Sequence, residues 1–389
     1  MKSDRVRSRY ERILVENIRK TLVFCEISYD SITRDFGRIF VKTRDTRAAL
    51  AIARVFGVVS TSCVETCAAD LDVIASAALE LVTPFLTHGE SFGIRARRTG
   101  THRFSSKDIG VVVGRKIVER LAAPVRLSRP DVQVYIDVRA DRAYLYTEII
   151  QGVGGLPLGT QGKIVALISG GIDSPVAAWL MMKRGCTVIP VFLDCGSYTG
   201  AQGKQRVLEC LKALAVWGQA PLNVANLRHD MSLAKFKELC PRLTCVLCKR
   251  MMYRIATVIA KQEGAHGIIT GESIGQVASQ TTQNLLAIDD AGGVPIYRPL
   301  IGMDKTEIIR LARYIGTYRL STYGDSMSCS AAHHHPTTNA DINEVAQCEA
   351  QLSICDLSNK ETESLTWDAI LPDKGYRWVL SANKHEHQA

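Results

Sequence analysis

At 389 residues the chain is long enough for two or three cored domains, and 46% hydrophobic with 22% charged residues is an ordinary soluble composition. No apolar run reaches the length of a membrane span, and the basic start Met1–Arg12 lacks the following apolar stretch of a signal peptide, so the cytoplasm is the expected location. The net charge of +9 is uneven: residues 1–165 hold 26 Lys and Arg against 18 Asp and Glu, the remainder 22 against 21. A basic front module ahead of a near-neutral part suits a polyanion, although surface lysines and arginines also serve solubility.

In chain order, the pattern predicts a charged amphipathic helix over Arg5–Leu22, a strand over Phe36–Thr43 and a short helix over Thr46–Val55, together a small α/β unit. Next come helix Asp70–Leu86, strand Ser91–Arg97, helix Ser106–Leu121 and strands Val132–Val138 and Ala143–Ile149. The segment Phe92-Gly-Ile-Arg95-Ala-Arg97-Arg98-Thr-Gly-Thr-His102-Arg103-Phe104 gathers positive charge at a strand end. Arg95, Arg97, Arg98 and Arg103 are candidate phosphate contacts, because guanidinium binds phosphate bidentately. A solvated basic loop would carry the same residues. Gln151–Gly162, with five glycines, reads as a linker.

The apolar strand from Ile164 then runs into Ser169-Gly170-Gly171-Ile172-Asp173-Ser174, followed at once by a helix. Pro175 suits the first helical position, Ser174 the cap before it and Gly185 the residue after the end. The glycines permit a sharp turn and close ligand approach, and the free N–H groups of the helix start suit an anion. A second strand, Thr187–Phe192, completes a βαβ unit, and further strands and helices alternate as in a doubly wound parallel sheet. This is not a Walker A loop, because no lysine stands at the helix start. Ser-Gly-Gly-x-Asp-Ser in this setting resembles the PP-loop of ATP pyrophosphatases, which split ATP between its α and β phosphates. Asp173 would repel phosphate without an intervening cation and is assigned to Mg²⁺.

The Arg95–Arg103 segment and the strands around Asp131–Arg139 and Ala143–Tyr146 resemble the THUMP RNA-binding domain. Further motifs are Gly154-Gly-Leu-Pro-Leu-Gly159-Thr-Gln-Gly162, Lys249-Arg-Met-Met252, Thr270-Gly271-Glu272-Ser-Ile-Gly-Gln276-Val-Ala-Ser-Gln280, and Arg298-Pro-Leu300 with Asp304-Lys305-Thr-Glu307. Their order resembles the tRNA 4-thiouridine synthetases over nearly the whole chain. The resemblance implies an α/β architecture in which ferredoxin-like (1–58) and THUMP (59–153) modules, then a linker (154–163), precede a PP-loop pyrophosphatase domain (164–389). It implies that Leu167, Ile168, Ser169, Gly170, Gly171, Ser174, Phe192, Leu193, Lys249, Gly271 and Gln280 bind ATP. The implied reaction is adenylation of O4 of tRNA uridine 8 with release of pyrophosphate, then displacement of AMP by sulfur. Implied partners are tRNA, a sulfur donor (sulfide or a persulfide carrier) and a second copy in a homodimer. Thiolation of another RNA base, or an iron–sulfur protein that binds tRNA without thiolating it, are the alternatives.

Twelve cysteines in a chain of this kind point away from a disulfide framework. Cys25, Cys63, Cys67, Cys186, Cys210, Cys348 and Cys355 read as fillers or plain surface thiols, while Cys195, close to the second strand, is harder to dismiss. Nothing after Cys329 forms the glycine-rich cysteine loop of the rhodanese domain that ends many relatives, so sulfur delivery is expected to differ. Cys245-Val-Leu-Cys248 stands just before an expected helix Lys249–Gln262, where thiols ionise more readily. With Cys329 it offers three thiolates for a 4Fe–4S cluster, as in the rhodanese-less archaeal members this sequence resembles. Cys240 competes as third ligand, and a dithiol pair or a zinc site stays open. His333-His-His335 reads as a solvated loop.

Overall fold

The computed structural model describes residues 3–35, 37–324 and 329–373, which divide into two compact units. One gathers the described parts of Met1–Lys42, Arg54–Val58 and Val153–Ala389, the other Thr43–Ala53 and Val59–Gly152. No described helix is long and apolar enough to cross a membrane.

In the second unit, a four-stranded sheet runs Glu65–Ala68, Arg142–Tyr146, Val132–Arg139, Phe92–Thr99, the last pair parallel and the others antiparallel. Helices Leu71–Val82 and Ser106–Leu121 cover one face, burying Ile74, Ala78, Ile109, Val113 and Ile117 against Val134, Ile136, Val138 and Leu145. The helix starts are specified locally. Asp70 accepts from the Asp72 and Val73 N–H groups, and Ser105 with Asp108 forms a capping box.

The first unit is built on a six-stranded sheet, ordered Ile296–Tyr297, Ile268–Ile269, Lys163–Leu167, Thr187–Asp194, Leu222–Arg228, Thr366–Ile370. Five strands are parallel; Thr366–Ile370 joins antiparallel to Leu222–Arg228, an edge the expected all-parallel sheet did not include. Successive residues alternate between two cores, so Val165, Ile189 and Val191 face helices Asp230–Leu239 and Thr244–Glu263. Ile164, Ala166 and Val188 face helices Asp173–Lys183, Gly200–Gly218 and Lys305–Ile315. Burial on both faces explains the unbroken apolar runs of the central strands.

At the N-terminus, helix Asp4–Phe24 precedes an antiparallel hairpin, Ser31–Asp35 with Arg38–Lys42. The first hairpin strand was not expected, because Ser-Ile-Thr-Arg-Asp exposes all but Ile32 and shows no apolar alternation. Phe36, placed by the sequence in the second strand, lies outside the described residues.

The stretch expected as a linker is bonded into the first unit. The Leu156 N–H donates to Lys183 O at 2.9 Å, and Gly159 N–H to Gly185 O at 3.0 Å. Gly155 sits at φ +83°, where a Cβ would stand 2.1 Å from the Lys183 carbonyl oxygen. Gly154, at φ +70°, has open space around it. Gly154→Ala should therefore cost about 1 kcal/mol for the left-handed backbone alone, and Gly155→Ala distinctly more. Chemical denaturation of both variants checks the order, and equal losses would remove the packing role assigned to Gly155.

Candidate active site

A cavity of about 410 Å³ opens at the carboxyl edge of the parallel sheet, where open α/β sheets bind ligands. The phosphate loop forms one wall. Its helix starts at Asp173 rather than after Ser174, with Ile172 in the cap position. Ser174 does not cap, because its hydroxyl reaches back across the loop: Oγ accepts the Ser169 N–H at 2.8 Å and lies 3.1 Å from Ser169 Oγ. A Cβ on Gly171 would meet nothing nearer than Ser169 Oγ at 3.5 Å, which leaves ligand space beside the loop. Gly271 is a glycine for the opposite reason. A Cβ there would stand 2.7 Å from the Ser174 nitrogen and 2.9 Å from the Asp173 carbonyl carbon.

Two cations meet this wall, each held by a carboxylate. Lys305 Nζ donates to Asp173 Oδ1 at 2.6 Å and to Gln276 Oε1 at 3.3 Å. Its position is fixed by a capping box between Asp304 and Glu307 at the start of helix Lys305–Ile315. Lys249 Nζ donates to Glu272 Oε1 at 2.7 Å, and Glu272 is a hub. Its Oε2 also accepts from Arg298 Nε at 2.6 Å, Tyr253 OH at 3.0 Å and Thr270 Oγ1 at 3.1 Å. Arg298 is anchored in turn by Asp289. Burial pushes the Glu272 carboxyl up, but Lys249 and Arg298 outweigh it and hold the group below the usual glutamate range.

The opposite wall carries thiols. Cys195, Cys245, Cys248 and Cys329 all line the cavity. Helix Thr244–Glu263 begins before the Cys-x-x-Cys pair, so both cysteines are helical rather than just ahead of the helix. The expected easier ionisation is reversed. Burial pushes the Cys245 and Cys248 thiols up, Lys249 offsetting only part of it, and burial raises Cys195 to about 12. Cys248 Sγ lies 3.3 Å from Nε2 of the fully buried His229, whose Nδ1 is 2.8 and 3.0 Å from the two Glu361 oxygens.

The three cysteines expected to hold a cluster line one cavity. Among the described residues no three His, Cys, Asp or Glu side chains converge to hold a metal ion, so the three thiols do not form a ligand set as placed. Cys240 is removed as a third ligand, because it forms a disulfide with Cys348. That bond was not expected either: the two cysteines stand 108 residues apart and only folding brings them together. Residues 325–328, quoted ahead of Cys329, lie outside the described residues. His334 and His335 are exposed in a turn.

Every candidate named for the pyrophosphatase part lines this one cavity: Leu167, Ile168, Ser169, Gly170, Gly171, Asp173, Ser174, Phe192, Leu193, Cys245, Cys248, Lys249, Gly271, Gln280 and Cys329. Gln280 Oε1 is buried there without a protein partner. Arg95, Arg97, Arg98 and Arg103 belong to the other unit and are exposed. Sequence reasoning missed Glu272, Lys305, His229 and Glu361 as site residues. The first two lay inside quoted motifs. His229, at the carboxyl end of a central strand, carried a weak positional signal, and Glu361 carried none.

A parallel sheet whose strand runs into Ser-Gly-Gly-x-Asp-Ser, with a separate basic α/β module ahead of it, defines a PP-loop protein. The ThiI family (thiamine biosynthesis protein) matches residues 159–354, the THUMP domain 68–148 and the ThiI ferredoxin-like domain 1–62. A probable tRNA sulfurtransferase of Methanosarcina mazei is 46% identical over 378 residues, covering 95% of this chain and 92% of its own. Another, of Thermococcus kodakarensis, is 43% identical over 329 residues, with coverages of 82% and 86%. A crystallised 4-thiouridine synthetase–RNA complex with bound ATP superposes with a TM-score of 0.85 at 29% identity, over 95% of this chain and 96% of that one. The chain belongs to the ThiI family of tRNA sulfurtransferases.

The Glu272 hub generates a pH test. A carboxyl held low in the folded state stabilises above the ordinary glutamate range, and that contribution is lost as pH falls through the folded value. Glu272→Gln should therefore lower the unfolding midpoint at pH 7, with the gap from wild type closing in acid. Thermal unfolding between pH 7 and 3 reads it, and a gap constant with pH would contradict the ionised hub.

Proposed function

We propose that this chain transfers sulfur to tRNA at the expense of ATP, adenylating O4 of uridine 8 and then replacing that oxygen with sulfur to give 4-thiouridine. The observation that carries the reading is the single cavity that sets a phosphate loop against a wall of thiols. The relatives named tRNA sulfurtransferase, and the synthetase bound to RNA and ATP, support the substrates.

In this reading, ATP lies with its phosphates at the loop and the N-terminus of helix Asp173–Lys183, where free N–H groups receive anions. Phe192 and Leu193, at the end of the neighbouring strand, give the nucleotide an apolar wall, and Gln280 offers its unpartnered amide oxygen. Uridine O4 attacks the α phosphorus and the bond to the β phosphate breaks. Lys249 and Lys305 stand where charge develops on the departing pyrophosphate. Mg²⁺ fits this site on donor chemistry: it commonly takes one or two carboxylates plus phosphate oxygens, and Lys305 engages only Oδ1 of Asp173. Asp173 would hold it, and the ion would neutralise phosphate charge.

In the second half-reaction a sulfur nucleophile, drawn from sulfide or a persulfide carrier, adds at C4 and the C4–O bond to AMP breaks. Sulfide adds directly. With a persulfide carrier as donor, one of Cys245, Cys248 and Cys329 takes the carrier's outer sulfur, releasing the carrier thiol. After addition at C4 a second of them takes the first as a disulfide that an external thiol reduces, freeing the thiouridine. No step is assigned to an iron–sulfur cluster, because the thiols do not converge as placed; iron and sulfide analysis of anaerobically purified protein decides whether one forms.

The two half-reactions should separate by mutation. Asp173→Ala is expected to abolish pyrophosphate release while leaving tRNA affinity near wild type. Cys248→Ser is expected to abolish thiolation while sparing pyrophosphate release. Pyrophosphate and thiouridine assays on the same preparations check this, and a Cys248→Ser protein with full thiolation would refute the sulfur role.

For the RNA, Arg95, Arg97, Arg98 and Arg103 are assigned to backbone phosphates. Replacing Arg95, Arg97 and Arg98 with Ala should weaken tRNA binding and reduce the slope of log affinity against log salt by about 0.7–0.9 per lost contact. An unchanged slope would leave the arginines as solvated charges only.

A further inference from the structure

We infer that Gln276 is a catalytic residue of the adenylation half-reaction, its side-chain N–H donating to an oxygen of the departing pyrophosphate. The inference rests on the adenylation proposed above and adds a residue that reading does not contain.

Gln276 and Lys305 stand on one support. The loop 272–280 is tied to the segment just before helix Lys305–Ile315 by two bonds. Ser273 Oγ donates to Met303 O at 3.0 Å, and the Ile274 N–H to Ile301 O at 3.1 Å. The loop also closes on itself, through Gly275 N–H to Gln280 O at 3.1 Å and Gln280 N–H to Val277 O at 2.8 Å. From this frame the Gln276 side chain meets Lys305, whose Nζ lies 3.3 Å from Oε1 and 2.6 Å from Asp173 Oδ1. A single ammonium group therefore bridges the amide and the carboxylate of the phosphate loop.

Chemistry fixes which end of the amide faces the lysine. An ammonium only donates, so the amide oxygen takes that side and the NH₂ group points elsewhere. Nε2 is buried, and no protein group accepts from it. A buried donor without a partner is costly, so the arrangement is complete only when a ligand brings an acceptor. A glutamine that served Lys305 alone would do so equally well with its nitrogen in water. The class of acceptor follows from the neighbours. An amide donor beside an ammonium makes a patch of positive potential, which favours an anionic oxygen over a neutral carbonyl such as uracil O4. Adenylation supplies that anion: as the bond between the α phosphorus and the bridging oxygen breaks, its electron pair stays with pyrophosphate. A donor already in place gains strength as this charge grows and need not reorient.

The test compares Gln276→Met and Gln276→Glu with wild type in three measurements. These are tRNA-dependent pyrophosphate release at saturating ATP, tRNA affinity, and calorimetric affinity for inorganic pyrophosphate. Methionine keeps the length of the side chain and removes the donor, so release should fall about a hundredfold with tRNA affinity unchanged. Pyrophosphate should bind that variant about tenfold more weakly. Glutamate keeps an acceptor for Lys305 but turns a second oxygen to the anion, so it should do no better than methionine in release or in pyrophosphate binding. A glutamate variant near wild type beside a slow methionine variant would make Gln276 a holder of Lys305 and overturn the donor role. Wild-type release or unchanged pyrophosphate affinity in Gln276→Met would overturn it too, as would a loss of tRNA affinity matching the loss of release. If the wild-type protein released no pyrophosphate with tRNA, the adenylation reading would fall instead, and the pyrophosphate titration alone would decide whether Gln276 meets that anion.

Discussion

The arrangement of the cavity depends on one buried carboxylate. Glu272, 4% exposed, accepts hydrogen bonds from Lys249, Arg298, Tyr253 and Thr270, which come from the thiol-bearing helix, the end of strand Ile268–Ile269 and the residue after Ile296–Tyr297. A lone charge at that depth would be expelled or protonated; two guanidinium and ammonium partners make it tolerable. The same contacts fix Lys249 between the phosphate loop and the cysteines, since Lys249 follows Cys248 directly in the helix. Truncating Lys249 or Arg298 would leave that buried charge short of a cation, while Tyr253 and Thr270 satisfy its remaining lone pairs.

Close backbone approach is the second constraint. Gly271 can lie against the start of helix Asp173–Lys183 only because it lacks a Cβ, and Gly155 lies against the end of that same helix for the same reason. The phosphate-loop helix is thus gripped at both ends by backbone, while Phe56 packs its ring 5.6 Å from those of Trp179 and Trp217 on the buried side. A loop that must present N–H groups to an anion gains from a rigid helix behind it, because preorganised donors need not reorient when charge develops.

How much of this was legible in the sequence differs by feature, for physical reasons. The phosphate loop and the strands flanking it were readable because strand burial on both faces produces uninterrupted apolar runs. Helix Ser106–Leu121 was readable to the residue, as Ser105 and Asp108 spell out its capping box. The start of helix Thr244–Glu263 was not: it was expected at Lys249, whereas the structure is helical from Thr244, directly after a short 3₁₀ turn at Pro241–Leu243. The lowered thiol values expected at a helix start failed because burial and the neighbouring cysteines outweigh the pull of Lys249 at Cys245 and Cys248. The Cys240–Cys348 bond, the antiparallel edge strand Thr366–Ile370 and the His229–Glu361 pair all join residues more than a hundred positions apart. No local periodicity encodes such meetings.

The charge pattern also bears on the order of events under the proposed function. Without nucleotide, Lys305 is neutralised by Asp173 and Lys249 by Glu272, so neither cation stands unpaired in the cavity. The two pairs differ in burial: Asp173 is 24% exposed at its side chain, Glu272 6%. The more exposed pair is the cheaper one to open, because water screens it and resolvates its carboxylate. Incoming triphosphate can therefore draw Lys305 away from Asp173 and free that carboxylate for a metal ion. Lys249 keeps its buried partner and, under the proposed function, turns its remaining N–H groups to the leaving group as charge accumulates there. An interaction withheld until then lowers the barrier more than one already made to the bound substrate. The sequence pairs one lysine with an accessible carboxylate and the other with an inaccessible one, and under the proposed function that difference would divide nucleotide capture from leaving-group stabilisation.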